Sequence, residues 1–471
     1  MNNNGCRLVP PQITPVLDPF FRPAVLANRF FAGQVRASKQ PVPVKLALEQ
    51  ADASVFHCQA DIFSEDNPQS AGNFTYLERQ VKFLLWSRGG FRVYFSGPDS
   101  LGVALQKHYR ETSTGRFDAA IMGDRIYERP FEVAIVRPEE IPPPRANTTP
   151  LGRHFNGCRI GFDLGGSDRK VAAVLDGKCV FSEEVLWNPV PQKDPQWHFD
   201  QIMDSLKSAA SHLPRVDAIG GSAAGVYVNN RVKVASLFRG VPPDLFEHRV
   251  KNLFLELQKS WNDIPFEVVN DGEVTALAGS MALGQNAVLG IAFGSSQAAG
   301  YVTPEGNITS WLNELAFAPI DYQPNAPVDE WSGDYGCGVQ YFSQQCVARL
   351  LDVAGIELDS AMPFPEKLKH VQMLMLRDDY RARKIYETIG VYLGYGIAHY
   401  AGFYNFQHVL VLGRVTSGPG GEVIISGAKE VLKVEFPELA DRITFQIPGE
   451  KEKRHGQAIA AASLPALNAK D

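Results

Sequence analysis

A strand–turn–strand pattern occurs twice in this chain, each time around a turn of small residues, and it constrains the fold more than any other feature. The first copy joins predicted strands at 159–163 and 171–175, and the second joins predicted strands at 288–293 and 298–302. After residue 150, apolar strands alternate with helical stretches, which is typical of an α/β fold. The repetition predicts two related halves.

Hydrophobic periodicity places the other elements of this region. Strands are predicted at 216–220, 267–270 and 408–412, and helices at 198–212, 242–261, 385–404, 422–434 and 456–464. A further helix is predicted to start at Asp271, directly after a strand.

A proline-rich stretch separates this region from the residues before it. Five prolines fall within residues 137–150, which predicts an extended linker. Upstream, a predicted helix at 76–86 and predicted strands at 91–95 and 131–136 indicate a small α+β unit. The first forty residues have weak periodicity and several prolines, so an irregular arm is expected there.

Composition argues against several classes of protein. The 46 basic and 52 acidic residues give a net charge of -6, the wrong sign for a partner such as nucleic acid or anionic lipid. We find no apolar run of membrane-spanning length and no signal-peptide pattern, so a cytoplasmic protein is expected. The six cysteines form no C-x-x-C pair, which argues against a disulfide framework and an ordinary zinc site.

The first turn, residues 163–170, reads DLGGSDRK. Gly165 and Gly166 would let a ligand approach the backbone, whose N–H groups can hold phosphate oxygens beside the hydroxyl of Ser167. Asp163 could attract a metal ion. A tight hairpin without a ligand explains the same glycines equally well, and Lys170 is more commonly a solvated charge than a phosphate ligand.

The second turn, residues 293–300, reads FGSSQAAG. Gly294, Ser295 and Ser296 offer backbone N–H and hydroxyl donors to phosphate. On its own this turn is better explained as a closely packed hairpin. Two such turns in one chain favour a clamp that holds the phosphate tail of a nucleotide from both sides.

Between the two turns, a predicted apolar strand ends in Asn270 and Asp271. Asp271 is either the N-cap of the next helix or a general base at the carboxyl end of a strand, where α/β folds place ligands. A carboxylate suits the second role because it can accept the proton of an alcohol that attacks a γ-phosphoryl group. The two roles are compatible.

The order of these three elements resembles the sugar kinase branch of the actin and heat-shock ATPase superfamily. More closely, it is similar to the ROK family (repressors, open reading frames and sugar kinases). The resemblance covers residues 159–467 and is carried by the sequences DLGGS at 163–167 and ND at 270–271. It also includes 220–232, 389–413 and the final helix.

This resemblance implies ATP-dependent phosphorylation of a hexose or hexose-like sugar, with Mg²⁺ bridging the phosphates and Asp271 as the catalytic base. It implies sugar contacts from Gly225, Asn270, Glu314 and Gln344. It implies nucleotide contacts from Asp163, Gly165, Gly166, Ser167, Lys170, Gly294, Ser295, Ser296 and Gly413, with Asp163 also next to Mg²⁺. Without the resemblance, Glu314 would be a surface acid, and a helix-flanking loop explains Gly413 equally well.

The implied fold is a two-lobed α/β core of the actin-like (ribonuclease H-like) type, preceded by a small α+β accessory domain. Residues 1–150 would be the accessory domain and its linker. Residues 151–271 with 455–471 would form the first lobe, and 272–454 the second lobe. ATP would lie in the cleft between the lobes.

Four named positions and two lost cysteines depart from the family pattern. Ser296 and Ala298 replace glycines of the second phosphate turn, which is tolerated only where φ is negative. Phe317 stands where the family has a histidine that binds sugar and zinc, and Gln344 stands where it has a glutamate. Of three zinc-binding cysteines only Cys337 remains, so zinc is not expected.

Two hypotheses from different classes follow. The first is a cytoplasmic sugar kinase, and the alternative is a catalytically weak sugar-binding or regulatory protein with a degenerate second phosphate turn. A transcriptional repressor is less favoured, because we expect the basic residues of the N-terminal part to be a solvated surface: Arg88, Arg92, Lys107, His108 and Arg110. We expect a sugar and a nucleotide as partners, with no membrane or nucleic acid, and leave a homodimer open.

Overall fold

The computed structural model of the protein describes residues 7–146, 150–447 and 450–467, with only the backbone of 450–455. We call residues 7–146 the N-terminal segment. Its elements include, in chain order, α1 (Ala24–Ala37), β1 (Pro41–Glu49), β2 (Val55–Phe63), α2 (Asn73–Arg88), β3 (Arg92–Ser96), α3 (Asp99–Glu111), α4 (Ser113–Ala119), a π-helical stretch (Ala120–Tyr127) and β4 (Glu132–Ile135).

The strands of the N-terminal segment form one sheet in the order β2-β1-β3-β4. β1 runs antiparallel to both neighbours, whereas β3 and β4 are parallel. Val44, Leu46 and Leu48 of β1 are buried at alternate positions, because successive side chains of a strand point to opposite faces. One face of this sheet therefore packs against a core.

The irregular arm expected for the first forty residues is wrong beyond Pro23. α1 buries Ala27, Phe31 and Val35 along one face at helical spacing. The prolines of β1 precede residue 45, in the part of the strand that pairs only with β2, where a missing N–H donor costs the sheet little. Small residues and prolines weaken the periodic pattern of α1 and β1, so neither element was predicted from the sequence.

The first sheet is built from residues 158–270. The elements of this region include β5 (Cys158–Leu164), β6 (Asp168–Leu175), β7 (Lys178–Leu186), α5 (Pro195–Ala210), β8 (Ala218–Ala223), β9 (Val226–Val228), β10 (Arg231–Val234), α6 (Pro243–Leu245), α7 (Leu253–Ser260) and β11 (Phe266–Asn270). The sheet order is β11-β8-β5-β6-β7, and β9 pairs with β10 separately. β5 and β6 form the first predicted hairpin. β8 runs parallel to β5, and β11 runs parallel to β8.

The second sheet is built from residues 288–446. Its region includes α8 (Asp271–Leu283), β12 (Val288–Phe293), β13 (Gln297–Val302), α9 (Gln344–Ala354), α10 (Phe364–Met375), α11 (Tyr380–Tyr400), β14 (His408–Leu412), α12 (Pro419–Glu435), α13 (Pro437–Ala440) and β15 (Thr444–Gln446). The order is β13-β12-β14-β15, with β12 and β13 as the second predicted hairpin. The final helix, α14 (Glu450–Ala462), returns to pack on the first sheet.

The single helix predicted at 242–261 is wrong. The chain forms α6, a π-helical turn at Phe246–Val250 and then α7. Just before α7, the carbonyl oxygen of Lys251 accepts a hydrogen bond of 3.1 Å from the backbone N–H of Val232 in β10. This contact with another element interrupts the continuous helical pattern that periodicity indicated.

The N-terminal segment and the second sheet share one buried apolar core. Phe83 of α2 stacks on Phe403 with a centroid distance of 3.9 Å, and Trp86 stacks on Phe317 at 4.2 Å. The first sheet has a separate core. The division into an accessory domain and two lobes stays a prediction, and this shared core crosses one of its proposed boundaries.

A buried ionic network fastens α2 to the loop before residue 338. Lys82 pairs with Asp118 at 2.9 Å and with Asp334 at 3.0 Å, and Arg79 pairs with Asp334 at 3.0 Å. All four side chains are almost fully buried. Each charge therefore depends on its partners, because an unpaired buried charge is strongly destabilising.

The solvated surface expected for the N-terminal basic residues is wrong for two of them. Arg88 is 3% exposed and His108 is 8% exposed. The guanidinium of Arg88 lies 3.3 Å from the ring centroid of Trp311, and burial lowers the pKa of Arg88 to about 10. Aromatic packing explains this burial, which charge patterning alone could not indicate.

Among the helices of the described ranges, none combines the length and hydropathy needed to cross a bilayer.

Candidate functional site

Parallel pairing of β5, β8 and β11 brings their carboxyl ends to one edge of the first sheet. Leu164 lies beside Ala223, and Ala223 lies beside Asn270. Asp163 is consequently next to β8, where its carboxylate accepts a hydrogen bond of 2.6 Å from the hydroxyl of Ser222. In α/β folds this edge is where ligands bind.

Asn270 caps α8. Its side-chain oxygen accepts a hydrogen bond of 2.7 Å from the N–H of Gly272, and its side-chain nitrogen donates to the carbonyl of Gly225 at 2.7 Å. The interpretation of Asp271 as the N-cap is therefore wrong, since Asp271 is the first residue inside the helix. In the sequence ND, Asn270 caps the N-terminus of α8, so the side chain of Asp271 is not needed as the cap and can make other contacts.

Asp271 lines a cavity of about 320 Å³ that we call the cleft cavity. The other lining residues include Thr275 and Gly279 of α8, Ala292 of β12, Gly413 and Gln457. Burial, and then the charge of Asp163, raise the pKa of Asp271 to about 6. A carboxyl group with this pKa is mostly ionised at neutral pH and remains a usable proton acceptor.

The first turn carries donors without intramolecular acceptors. Within the described residues, the backbone N–H groups of Gly166 and Ser167 make no hydrogen bond, and a Cβ on Gly166 would meet no atom within 4 Å. Space and donors therefore coincide at this turn, as a phosphate site needs. Lys170 pairs with Asp168 at 2.8 Å and with Asp163 at 3.5 Å, so in this structure it neutralises carboxylates of the turn.

The second turn is similarly provided with donors. Ser295 and Ser296 are exposed, and their N–H groups bond to no described residue. Ser296 and Ala298 do not have positive φ, so the added Cβ atoms cause no backbone strain. The replacement of glycine at these two positions thus preserves the hairpin.

Gly413 and Arg414 follow β14 at the same end of the second sheet. Gly413 has a φ of 93° and packs against the backbone of Phe293 so closely that a Cβ would clash. Desolvation acts to raise the pKa of Asp168, but Lys170, Ser167 and the charge of Arg414 outweigh it, and the pKa is lowered. Arg414 thus brings positive charge from the second sheet to the first turn.

A second cavity, of about 270 Å³, lies on the other side of Asn270, and we call it the side cavity. Gly225, Asn270, Glu267 and Glu314 line it, so three residues that the resemblance assigns to sugar binding lie together. Among its described lining residues there is no Lys, Arg or His. Its polar surface is therefore formed by carboxylates, amides and hydroxyls.

Glu314 is held by the N-terminal segment. Its backbone N–H donates a hydrogen bond of 2.9 Å to the carbonyl of Trp86, at the end of α2. Burial, and then the charge of Asp271, raise the pKa of Glu314 to about 7, and burial raises the pKa of Glu267 to about 7. The charge of Asp271 therefore acts on Glu314 although the two residues line different cavities.

The structure shows the contacts of two residues that depart from the family pattern, Gln344 and Phe317. Gln344 lies beside the second turn, where its backbone N–H donates a hydrogen bond of 2.9 Å to the carbonyl of Gly294. Its buried side-chain oxygen has no hydrogen-bond partner among the residues that the structure describes. It does not line the side cavity. Phe317 packs on Trp86, so this position stabilises the contact with the N-terminal segment.

The loop that would hold zinc contains Cys337, which is fully buried. Burial raises the pKa of its thiol, and Asp334 in the same loop pairs with Lys82 and Arg79. Within the described ranges no three His, Cys, Asp or Glu side chains converge on a possible metal position. The absence of zinc stays a prediction.

Arg414, Glu267 and the residues of the N-terminal segment that line the side cavity were not predicted from the sequence. Arg414 had a usable signal, because a cation directly after a strand-ending glycine is well placed for an anionic ligand. Asp52 and Tyr127 had none, since only tertiary packing brings them to this cavity.

No protein-family model matches the chain, and no curated protein matches it in sequence. Solved structures do match. A ROK hexokinase from Thermus thermophilus superposes with a TM-score of 0.51 at 16% identity, over 65% of this chain and 96% of that one. The matched 65% of the chain has the ROK fold.

The ROK fold is shared by enzymes and regulators. A ROK family transcriptional regulator, a homolog of the E. coli MLC protein, matches with a TM-score of 0.53 at 17% identity, over 66% of this chain and 79% of that one. A ROK family glucokinase from Streptomyces griseus, solved with glucose and AMPPNP, matches with a TM-score of 0.46 at 19% identity, over 65% and 98%. The α/β actin-like class expected from the sequence is confirmed for the matched part of the chain, and the accessory domain stays a prediction.

Proposed function

We propose that this protein transfers the γ-phosphoryl group of ATP to a hydroxyl of a hexose or hexose-like sugar. The observation that carries the proposal is the position of Asp271 between two cavities. Asp271 lines the cleft cavity, while its neighbour Asn270 lines the side cavity with Gly225 and Glu314. Phosphoryl transfer from a nucleotide to an alcohol requires a proton acceptor between the two bound reactants, and Asp271 lies at that boundary.

In this proposal Asp271 accepts the proton of the attacking sugar hydroxyl as the sugar oxygen bonds to the γ-phosphorus, while the bond from that phosphorus to the β–γ bridging oxygen breaks and ADP leaves. Asn270 and Glu314 orient the sugar from the side cavity, and the hydrogen bond from Asn270 to Gly225 fixes the amide for that purpose. The raised pKa of Asp271, about 6, makes its carboxylate a better base than an ordinary aspartate. Correct positioning supplies much of the remaining rate enhancement.

The two turns would hold the phosphates. Their donors include the N–H groups of Gly166, Ser167, Ser295 and Ser296, which bond to no described residue. Arg414 adds positive charge near the first turn. Mg²⁺ bound with ATP would neutralise charge on the phosphates, and Asp163 and Asp168, which flank the first turn, would hold it.

The lining of the side cavity restricts the substrate. A sugar phosphate or uronic acid would place a negative charge near Glu267 and Glu314 with no cation among the described lining residues. The proposed substrates are therefore sugars without an anionic group. The volume of about 270 Å³ also indicates a small ligand.

A regulatory sugar-binding protein is the second candidate. Gln344, which was expected to contact the sugar, lies outside the lining of the side cavity. Phe317, which stands in place of the family's sugar-binding histidine, packs on Trp86. The ROK fold itself also occurs in a transcriptional regulator. This candidate keeps the side cavity as a sugar site and assigns no transfer step to Asp271.

Incubation of the full chain with ATP, Mg²⁺ and a panel of neutral hexoses, N-acetylhexosamines, uronic acids and sugar phosphates distinguishes the two candidates. ADP and sugar phosphate are quantified by mass spectrometry, and sugar binding is measured separately by calorimetry. Formation of a sugar phosphate from a sugar without an anionic group supports the kinase. Sugar binding without any product supports the regulator.

A further inference from the structure

The N-terminal segment forms one wall of the side cavity. Gln50, Ala51 and Asp52, from the turn between β1 and β2, line the cavity, as does Tyr127 at the end of the π-helical stretch. The opposite wall contains Asn270 and other residues of the first sheet. The resemblance to ROK proteins begins at residue 159, so this wall lies outside the part of the chain that it covers.

Hydrogen bonds fix the side chains of this wall. The side-chain nitrogen of Gln50 donates to the carbonyl of Arg88. Asp52 accepts hydrogen bonds of 2.9 Å from the N–H and the hydroxyl of Ser54. The wall is therefore preorganised, as specificity-determining residues need to be.

Close packing leaves little room for these groups to move. Gly89 has a φ of 78°, and a Cβ at this position would collide with the hydroxyl of Tyr127 and lie 3.4 Å from the Cβ of Leu312. Only glycine allows the end of α2, Tyr127 and Leu312 to meet in this way. Tyr127 and Leu312 both line the side cavity.

Ion pairs attach the same wall to the first-sheet region. Glu128, the residue after Tyr127, pairs with Lys233 at 3.0 Å and with Lys251 at 2.8 Å. Lys233 is 8% exposed, so this contact is partly shielded from solvent. The wall is thus attached to both regions of the chain that enclose the cavity, because the shared core holds its other side to the second sheet.

We infer that Ala51, Asp52 and Tyr127 contact the substrate and determine which sugars the protein accepts. This inference rests on the proposed function, since it takes the side cavity as the sugar site. The wall closes the cavity opposite the residues of the first sheet and limits it to one sugar ring. Asp52 and Tyr127 hydrogen bond to ring hydroxyls other than the one that is phosphorylated, and Ala51 limits the size of a ring substituent.

Two variants test this inference, with one control in the same segment. Tyr127→Phe removes one hydroxyl, and Ala51→Leu adds bulk to the wall. Tyr94→Phe is the matched control, because the hydroxyl of Tyr94 donates to Glu49 on the N-terminal sheet and does not line the cavity. For each, the KM and kcat for a panel of monosaccharides, the KM for ATP, and the calorimetric affinity for the same sugars are measured.

The sugar KM is expected to rise about tenfold in Tyr127→Phe, as for the loss of one buried hydrogen bond. Ala51→Leu is expected to lose N-acetylhexosamines and other substituted sugars before unsubstituted hexoses. The KM for ATP and the properties of Tyr94→Phe should stay unchanged. Sugar KM values and sugar ranking within twofold of the original protein in both variants would overturn the inference.

Failure of the proposed function has a different signature. If no sugar phosphate forms, the calorimetric affinities still test whether the wall contacts the sugar. A tenfold loss of sugar affinity in Tyr127→Phe, and the same change in sugar ranking in Ala51→Leu, would support the inference. Equal changes in the KM for ATP and for sugar would show a general structural effect and count against the inference. Undetectable binding of every monosaccharide by the original protein would also overturn it.

Discussion

The backbone N–H of Glu314 donates a hydrogen bond of 2.9 Å to the carbonyl oxygen of Trp86. Asn313 and Leu312 make the same contact with Ser87 and Arg88, at 3.0 and 3.3 Å. Carbonyl groups in the last turn of a helix have no intrahelical donor, so these contacts satisfy the end of α2. They also make the position of a side-cavity carboxylate depend on the N-terminal segment.

Removal of one cation from the buried ionic network should destabilise the protein strongly. Lys82→Met leaves the buried carboxylates of Asp118 and Asp334 without their shared partner, and the free energy of unfolding is expected to fall by about 3–5 kcal/mol. Lys107→Met is the control, because Lys107 is exposed and pairs with Glu111 at only 3.8 Å. Denaturant titration of both variants measures the difference, and equal stabilities would contradict this prediction.

Activity should depend on the ionisation of Asp271. Its pKa of about 6 means that the base form is lost as the pH falls through that value, so kcat/KM should decline below about pH 6. The pH profile of sugar phosphorylation between pH 5 and 8 measures this. A profile that is flat over the whole range would argue against Asp271 as the base.

Stability should fall as the pH rises from about 5 to 8. Burial raises the pKa of Glu273 to about 8, above its unfolded value of 4.5, and similarly raises the pKa of Asp321 to about 7. Between the unfolded and folded values the folded state binds more protons, so the free energy of unfolding decreases with pH. Unfolding free energies at pH 5 and pH 8 test the sign, and Glu273→Gln should reduce the difference.

Arg414 should contribute to nucleotide affinity and not to sugar affinity. Arg414→Ala removes positive charge near the first turn, and the affinity for a non-hydrolysable ATP analogue is expected to fall about tenfold. Arg383→Ala is a matched control, since Arg383 is exposed and pairs with Glu387 on α11. Calorimetry with the analogue and with sugar would contradict the prediction if both affinities fell together.

Local sequence patterns were sufficient to predict an element when the residues that determine it are neighbours in the chain. The hairpins at β5–β6 and β12–β13, and the strand that ends at Asn270, were predicted because turn residues and apolar runs fix them. The proximity of Gly225, Asn270 and Glu314 followed only from the resemblance. The structure then brought these three residues to one cavity.

Elements whose burial depends on distant partners were not predictable in this way. Arg88 looked like a surface cation because nothing near it in the sequence indicates a stack on Trp311. The contribution of Tyr127 to the side cavity depends on Gly89, thirty-eight positions earlier, which packs closely against Tyr127 and Leu312. Such contacts are set by tertiary structure, which overrides local preference.

The most direct test of the central claim compares Asp271→Asn with the original protein. The substitution keeps the size of the side chain and removes its ability to accept the hydroxyl proton. We expect calorimetric affinities for sugar and for the ATP analogue within about threefold of the original, and a kcat for sugar phosphorylation lower by about 10²–10⁴-fold. A kcat within tenfold of the original, with both ligands still bound, would contradict the account.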